Sequence, residues 1–390
     1  MYRGQKIYFS ASPRTIQQLF ACNRISADIW NDCLVEAKNY FLTYKKWIGK
    51  SELQKHLKGK YRLHSQSIQA VAHKYLDARD STHKAIQKGI KTARYPHKMK
   101  NHFNTKWVDK AFSISNNGTI SLSLGIFHGK RVSPLVLRAK HLPKGDIKEI
   151  ELCYDNGLYL SVSYEDGQEE QPYEKGFSCA VDMGEIHTIA SFCENGESLL
   201  VSGRKMRSLH RLRNKKIGEI QKRQSHCQKG SRQWKKYQRA KRYILSKSEH
   251  QLRDALHKTT KAFVDWCIQQ KISDIYVGNP EGVQRKTRKK KRKMTNQKLS
   301  NWSFGKTKDY LKYKGNTQGI NVFFVSEAYS SQTCPVCKRK KKVSTRNYRC
   351  HCGYTSHRDI HGAKNILSES LRGSFEPWEV EALPTYLRPA

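Results

Sequence analysis

Four cysteines in the last sixty residues are spaced to hold one tetrahedral metal ion. Cys334 and Cys337 form a Cys-x2-Cys pair, twelve residues follow, and Cys350-His-Cys352 closes the set. Thiolates supply the charge and soft donors that Zn²⁺ prefers, and a closed four-sulfur site is structural rather than catalytic. The second pair is one residue tighter than the usual Cys-x2-Cys, which keeps His351 and His357 open as replacement ligands. Asp359 follows in His-Arg-Asp at the head of a helical segment, Ile360 to Leu367. There it is either an N-cap or a ligand of an acidic metal site, two roles that compete for the same oxygens.

Hydrolysis of a phosphodiester by paired divalent ions needs two or three converging carboxylates, with the ions about 3.5–4 Å apart. Asp182 suits the first position, because it ends the apolar strand Phe177-Ser-Cys-Ala-Val-Asp; its plainer role would be to satisfy turn amides. A middle carboxylate belongs at the end of the fourth strand, Ile275-Tyr-Val-Gly, where the chain has Gly278 and Asn279 instead. Two residues could replace it. Glu281 lies in the turn-like Asn-Pro-Glu-Gly, and Glu327 follows the next strand, Ile320-Asn-Val-Phe-Phe-Val. That next strand neighbours the fourth in an RNase H-type sheet, so Glu327 is favoured over Glu281.

The elements that must carry these residues are legible as periodicities. Residues 13–94 show helical spacing of apolar residues, such as Ile16, Leu19 and Phe20. Residues 95–175 alternate and turn at Asn116-Asn117-Gly118 and Asp155-Asn156-Gly157, as short antiparallel strands of a barrel do. An early strand, Ile7 to Ser10, joins them, so the helical block is an insertion into a strand-rich unit made of residues 1–12 and 95–175. Residues 176–330 and 354–371 give three antiparallel strands, long helices, a parallel strand and a closing helix, which is the order of an RNase H-type domain; residues 331–353 form the inserted cysteine module. Residues 372–390, with Pro377, Pro384 and Pro389, read as a flexible tail. The expected fold is therefore multidomain, mixing α+β and α/β parts.

Charge restricts the partners. Lys and Arg number 74 against 33 Asp and Glu, a formal net charge of +41 over 390 residues, which calls for a large polyanion. A ribosomal or histone-like protein would share the sign but not the many strand-like apolar runs. No run approaches the ~20 apolar residues of a spanning helix, and no secretory signal opens the chain, so no membrane partner is expected. Eleven cysteines, seven of them scattered singly, fit a reducing compartment. The helical stretch Arg204 to Lys247 concentrates the charge; Arg204, Lys205, Arg207, Arg211, Arg239, Lys241 and Arg242 are candidate phosphate contacts, with Trp234 and Tyr237 interleaved. Lys340, between the cysteine pairs, is another, and the run Arg285 to Lys293 is either a solvated surface or an import signal. Phosphate contacts position a nucleic acid without reading its sequence.

The chain resembles the TnpB family of transposon-encoded RNA-guided DNA endonucleases and their eukaryotic relatives, the Fanzor proteins. Ala180-Val-Asp182-Met-Gly, Trp302-Ser-Phe, Tyr329-Ser-Ser-Gln-Thr-Cys-Pro-Val-Cys337 and Cys352-Gly-Tyr-Thr-Ser-His-Arg-Asp359 through Gly362-Ala-Lys-Asn365-Ile carry the likeness, which is strong from Phe177 to Leu367. It implies a RuvC-like nuclease interrupted by a zinc ribbon, after a helical recognition domain set in a wedge barrel. It implies two Mg²⁺ or Mn²⁺ ions on Asp182, Glu327 and Asp359, structural Zn²⁺ on Cys334, Cys337, Cys350 and Cys352, and a guide RNA copied from the element's end. The target would be double-stranded DNA beside a short adjacent motif, cut by a single protein copy in a ribonucleoprotein of the bacterial cytoplasm or nucleoid, or of a eukaryotic nucleus. Most TnpB proteins have Glu where this chain has Gly278; Fanzor proteins and some relatives use a Glu on the following strand, which corresponds to Glu327. A guided DNA-binding repressor with a decayed site, and a strand-transferring transposase, are the competing readings.

Overall fold

The computed structural model describes residues 1–279, 297, 302–343, 345–380 and 383–389. Glu281 and the run 285–293 lie outside the described residues. The chain divides into two compact units, Met1–Gln168 and Glu169–Ala390.

In the first unit, α1 (Pro13–Tyr44) starts where Ser12 accepts a hydrogen bond from the Thr15 amide at 3.1 Å and Pro13 presets the first turn; it ends at Lys45, in the left-handed region. With α2 (Lys50–Leu57) and α3 (Ser65–Gln87), it lies in sequence between β2 (Phe9–Ser10) and β3 (Thr105–Val108). The remaining strands are β1 (Tyr2–Ile7), β4 (Phe112–Ile114), β5 (Thr119–Leu122), β6 (Ile126–Phe127), β7 (Lys130–Arg131), β8 (Leu135–Ala139), β9 (Asp146–Tyr154) and β10 (Leu158–Glu165). Two four-stranded sheets, β1-β10-β9-β3 and β2-β8-β5-β4, share one core around Trp107, Ile120, Leu137, Ile150 and Val162. The ladders are open rather than one closed barrel: the N-terminal segment breaks after Ile7, giving β1 to one sheet and β2 to the other. Buried Asn23 ties α1 to this core, its amide donating to the Leu152 carbonyl and its carbonyl accepting from the Thr105 amide.

In the second unit, β11 (Phe177–Asp182), β12 (His187–Cys193) and β13 (Ser198–Ser202) form an antiparallel meander. A basic hairpin of α4 (Arg204–Ser225) and α5 (Arg232–Gln269) turns at Gly230, whose φ of 88° a side chain would resist. Next come β14 (Ile272–Asn279), α6 (Phe304–Thr317), β15 (Asn321–Ser326), β16 (Asn347–Arg349), β17 (Thr355–His357), α7 (Arg358–Arg372) and β18 (Thr385–Leu387). The main sheet runs β15-β14-β11-β12-β13-β18, with β14 parallel to β11 and β15 parallel to β14.

This sheet is covered on both faces, which is why its strands read as continuous apolar runs. Cys179 and Val181 face the core that holds Phe263 and Cys267 of α5 and Leu311 of α6. Ala180 faces the other way, toward Ile360, Ala363, Ile366 and Leu367 of α7. Side chains alternate along a strand, so Asp182 shares Ala180's face and looks toward α7. The small side chains of Ala180, Ala190 and Ala363 admit α7 close to the sheet.

The segment after Arg372 differs from the flexible tail read from the sequence. Trp378 packs on Phe192 at 5.4 Å between centroids and donates its indole N–H to the Lys364 carbonyl at 3.2 Å; Thr385–Leu387 then pairs in parallel with β13. The apolar area of Trp378 and Leu387 fixes the segment, and its prolines bracket the pairing instead of preventing it. Among the described residues, no helix is long and apolar enough to cross a membrane.

Candidate metal and nuclease site

Asp182, Glu327 and Asp359 arrive on three elements: the end of β11, the residue after β15, and the first turn of α7. Burial pushes the Asp182 carboxyl up to about 8, and the charges of Glu327 and Asp359 add to the shift. Burial alone pushes Glu327 up to about 7, and its Oε2 is buried with no hydrogen-bond partner. Burial thus disfavours the charged form of both carboxyls, a cost that a bound cation would offset. Asp359 behaves differently. Burial would raise it, but the His187 hydrogen bond and the Arg346 charge outweigh that and hold it below the ordinary carboxylate value. His187 Nδ1 lies 2.7 Å and Arg346 Nη1 2.9 Å from Asp359 Oδ2. The helix cap is His357, so Asp359 does not spend its oxygens as an N-cap. A cavity of about 270 Å³ opens beside Asp182 and Asp359, lined also by Gly184, Glu185, Arg346 and Arg358.

Two glycines make room for the carboxylates. A Cβ at Gly362 would stand 2.4 Å from Asp182 Oδ2, so only glycine lets α7 pass Asp182 at this distance. A Cβ at Gly278 would stand 2.9 Å from both Glu327 Oε2 and Ile366 Cδ1. Gly278 pairs with Val325 in the β14–β15 ladder, two residues before Glu327. A side chain at 278 and the Glu327 carboxylate therefore claim one volume, and this chain fills it from 327.

The sulfurs of Cys334, Cys337, Cys350 and Cys352 all lie within 4.8 Å of one another, with Cys334–Cys352 at 3.6 Å and Cys337–Cys350 at 3.4 Å. His351 is not in this group, and His357 lies instead with His187 and Asp359. The module is bound to α7 by a buried seam. Asn365 donates to the carbonyls of Ser330 and Thr333 at 2.7 and 2.8 Å, and His361 stacks on Tyr348 of β16 at 3.9 Å. Burial pushes His361 down to about 4, so it sits there as neutral imidazole.

Comparison with known proteins is consistent with this architecture. Residues 304–366 match the family described as "Cas12f1-like, TNB domain", and residues 161–284 match the one described as "Probable transposase". The "Putative RNA-guided DNA endonuclease InsQ" of Escherichia coli is 30% identical over 40% of this chain and 41% of its own length. The TnpB-like protein MJ0751 of Methanocaldococcus jannaschii is 24% identical over 50% of this chain and 70% of its own. Over these spans the chain is similar to TnpB-like proteins. The match to InsQ thus spans about two fifths of that relative. A Cas12f1–sgRNA–target DNA complex contains a chain of the same fold, with a TM-score of 0.65 at 14% identity, covering 91% of this chain and 83% of its own.

All the basic candidates but Lys340 lie on the helical hairpin, where α4 buries no residue. Arg204, Arg207 and Arg211 line a cavity of about 880 Å³ with His210, Lys215 and Trp302. Arg207 also pairs with Glu185 at 3.3 Å. Lys205 is exposed on the same helix, Arg239 and Arg242 are exposed on α5, and Lys241 is half-buried there. Lys340 packs its ammonium over the Tyr329 ring at 4.0 Å. Sequence reasoning missed His187, Arg346 and Gly362 as site residues. Their only signal was a glycine inside a helix in the third case; the other two meet Asp359 across 172 and 13 residues of chain.

Proposed function

We propose that the chain is an RNA-guided endonuclease encoded by a mobile element, which cuts double-stranded DNA beside a short adjacent motif by metal-dependent phosphodiester hydrolysis. The observation that carries this reading is the buried carboxylate pair: Asp182 and Glu327 are both pushed up, and Glu327 Oε2 has no partner. Such a pair is costly unless divalent cations neutralise it. Asp182, Glu327 and Asp359 would hold two Mg²⁺ or Mn²⁺ ions, which supply an activated water and stabilise the leaving oxygen. The chain's own residues bind and orient: Arg346 and Arg358, at the cavity beside Asp182 and Asp359, offer guanidinium groups to a phosphodiester. The convergent Cys334, Cys337, Cys350 and Cys352 fit structural Zn²⁺, holding residues 331–353 as a ribbon inserted in a RuvC-like domain of residues 176–330 and 354–371. Residues 1–12 and 95–175 would be the wedge and residues 13–94 the recognition domain. The basic hairpin would carry guide RNA and target DNA, which the InsQ and Cas12f1 likenesses support.

The test is Mg²⁺-dependent cleavage of a guide-matched plasmid with randomised flanking sequence, by the ribonucleoprotein made with its flanking element DNA. Guide-dependent cuts that vanish with Asp182→Ala, Glu327→Ala or Asp359→Ala, and persist with Glu281→Ala, are expected. Tight guide and target binding without cleavage by the unaltered protein would overturn the nuclease reading in favour of a guided repressor.

A further inference from the structure

Beside Asp359 stand two histidines that the proposed carboxylate chemistry does not use. One ligand atom each from His187, His357 and Asp359 lies within 4.8 Å of the other two. His187 opens β12 and reaches Asp359 Oδ2 with Nδ1 at 2.7 Å. His357 ends β17 and caps α7, and its ring stands 5.5 Å from that of His187 at 60°. Its Nδ1 is buried and has no hydrogen-bond partner. A hydrogen bond that merely orients Asp359 needs His187 alone. It leaves the second imidazole, with its buried and unspent nitrogen, without a purpose.

We propose that His187, His357 and Asp359 form a mixed imidazole–carboxylate cation site, so that the ion on Asp359's side of the centre is held through nitrogen as well as oxygen. The donor geometry suits it. First-row cations take imidazole nitrogen and carboxylate oxygen at about 2.0–2.2 Å, so atoms already this close need only side-chain rotation to converge. Among the described residues, the other group on that oxygen is the guanidinium of Arg346, whose side chain is 45% exposed and can swing to solvent or to a phosphate. Imidazole ligands favour first-row transition ions, whereas Mg²⁺ prefers oxygen alone. The site therefore favours first-row transition ions, of which Mn²⁺ is the spectroscopic probe, over Mg²⁺. Its role in cleavage rests on the nuclease reading; its existence does not.

Mn²⁺ binding to the ribonucleoprotein with its ribbon zinc-loaded tests this, because Zn²⁺ is silent in electron paramagnetic resonance. Bound Mn²⁺ should show electron-spin-echo modulation from directly coordinated ¹⁴N. His187→Phe and His357→Ala should each weaken that modulation and raise the Mn²⁺ Kd by roughly 10–100-fold, as loss of a metal-supporting group does, while Asp359→Asn removes the site. Mg²⁺ affinity should change much less in the histidine variants. Mn²⁺ bound with unchanged affinity and no ¹⁴N modulation would overturn the proposal, as would Mn²⁺ binding indifferent to Asp359→Asn. Cleavage is scored separately. Guide-dependent cutting with an all-oxygen Mn²⁺ site removes the histidine site and keeps the nuclease, whereas nitrogen-ligated Mn²⁺ without cutting by the unaltered protein keeps the site and removes the nuclease.

Discussion

The shared volume between positions 278 and 327 makes a prediction that mutation can separate into its parts. In Gly278→Glu, the new Cβ starts 2.9 Å from Glu327 Oε2 and from Ile366 Cδ1, inside van der Waals contact. Overpacking of this kind costs about 1–3 kcal/mol. Two carboxylates forced to about 4 Å apart add up to roughly 4 kcal/mol of repulsion at an effective dielectric constant near 20, less if one stays protonated. A combined loss of about 3–5 kcal/mol in a unit of this size lowers the thermal midpoint by about 10 °C. Glu327→Ala should abolish cleavage while leaving the fold intact, because it removes a buried carboxyl without a partner. The double variant Gly278→Glu/Glu327→Ala loses the clash with Oε2 and the charge repulsion and keeps the contacts with Ile366 Cδ1 and the Cβ of residue 327, so it should regain the electrostatic part of the lost stability. It should also cleave measurably above the Glu327→Ala background. Differential scanning fluorimetry and single-turnover plasmid cleavage read the two effects. Gly278→Glu with an unchanged midpoint would refute the shared volume. A folded double variant as inactive as Glu327→Ala would refute the claim that one carboxylate can serve from either strand.

Three further outcomes follow from the arrangement of these side chains. The raised values of Asp182 and Glu327 mean that their protonated forms favour the metal-free fold, so the stability they contribute is present below about pH 4 and is lost as pH rises through about 7 to 8. The midpoint gain on adding Mg²⁺ should therefore grow across that window by an amount worth a few kcal/mol, and a gain independent of pH would contradict it; Asp359, held low, titrates below the window. Gly362→Ala should raise helix propensity by up to about 1 kcal/mol and still cut cleavage at least tenfold, because its Cβ meets Asp182 Oδ2; full activity would show that α7 yields. Cys352→Ser should lower zinc content and thermal stability while His351→Ala changes neither, as read by elemental analysis; the reverse pattern would exchange the fourth ligand.

What the sequence disclosed and what it withheld divide along a physical line. The apolar strands of the sheet, the helical spacing from residue 13 and the cysteine spacing are written in neighbouring residues, so periodicity and ligand spacing expose them. The barrel reading failed because consecutive strands go to different sheets, at Tyr8 between β1 and β2, between β3 and β4, and between β8 and β9. The tail was misread because three prolines outweighed Trp378, whose burial against Phe192 depends on a partner far back in the chain.

The surroundings of Asp359 were hidden for the same reason and matter more. His187 stands 172 residues away in sequence, and Arg346 comes from the cysteine module, so neither carries a local mark. Yet they set the contrast within the site. Asp182 and Glu327 are buried, Asp182 beside other carboxylates as well, which favours their protons, while Asp359 is held low by cationic and hydrogen-bonding neighbours. A cation approaching this centre thus meets one carboxylate already charged and two that must release protons to receive it. Because the seam of Asn365 and His361 fixes the cysteine module to α7, the module that delivers Arg346 is tied to the helix that delivers Asp359. Loosening the cysteine cluster should therefore free Arg346 from Asp359 before it disturbs Asp182 or Glu327, whose positions depend on the sheet.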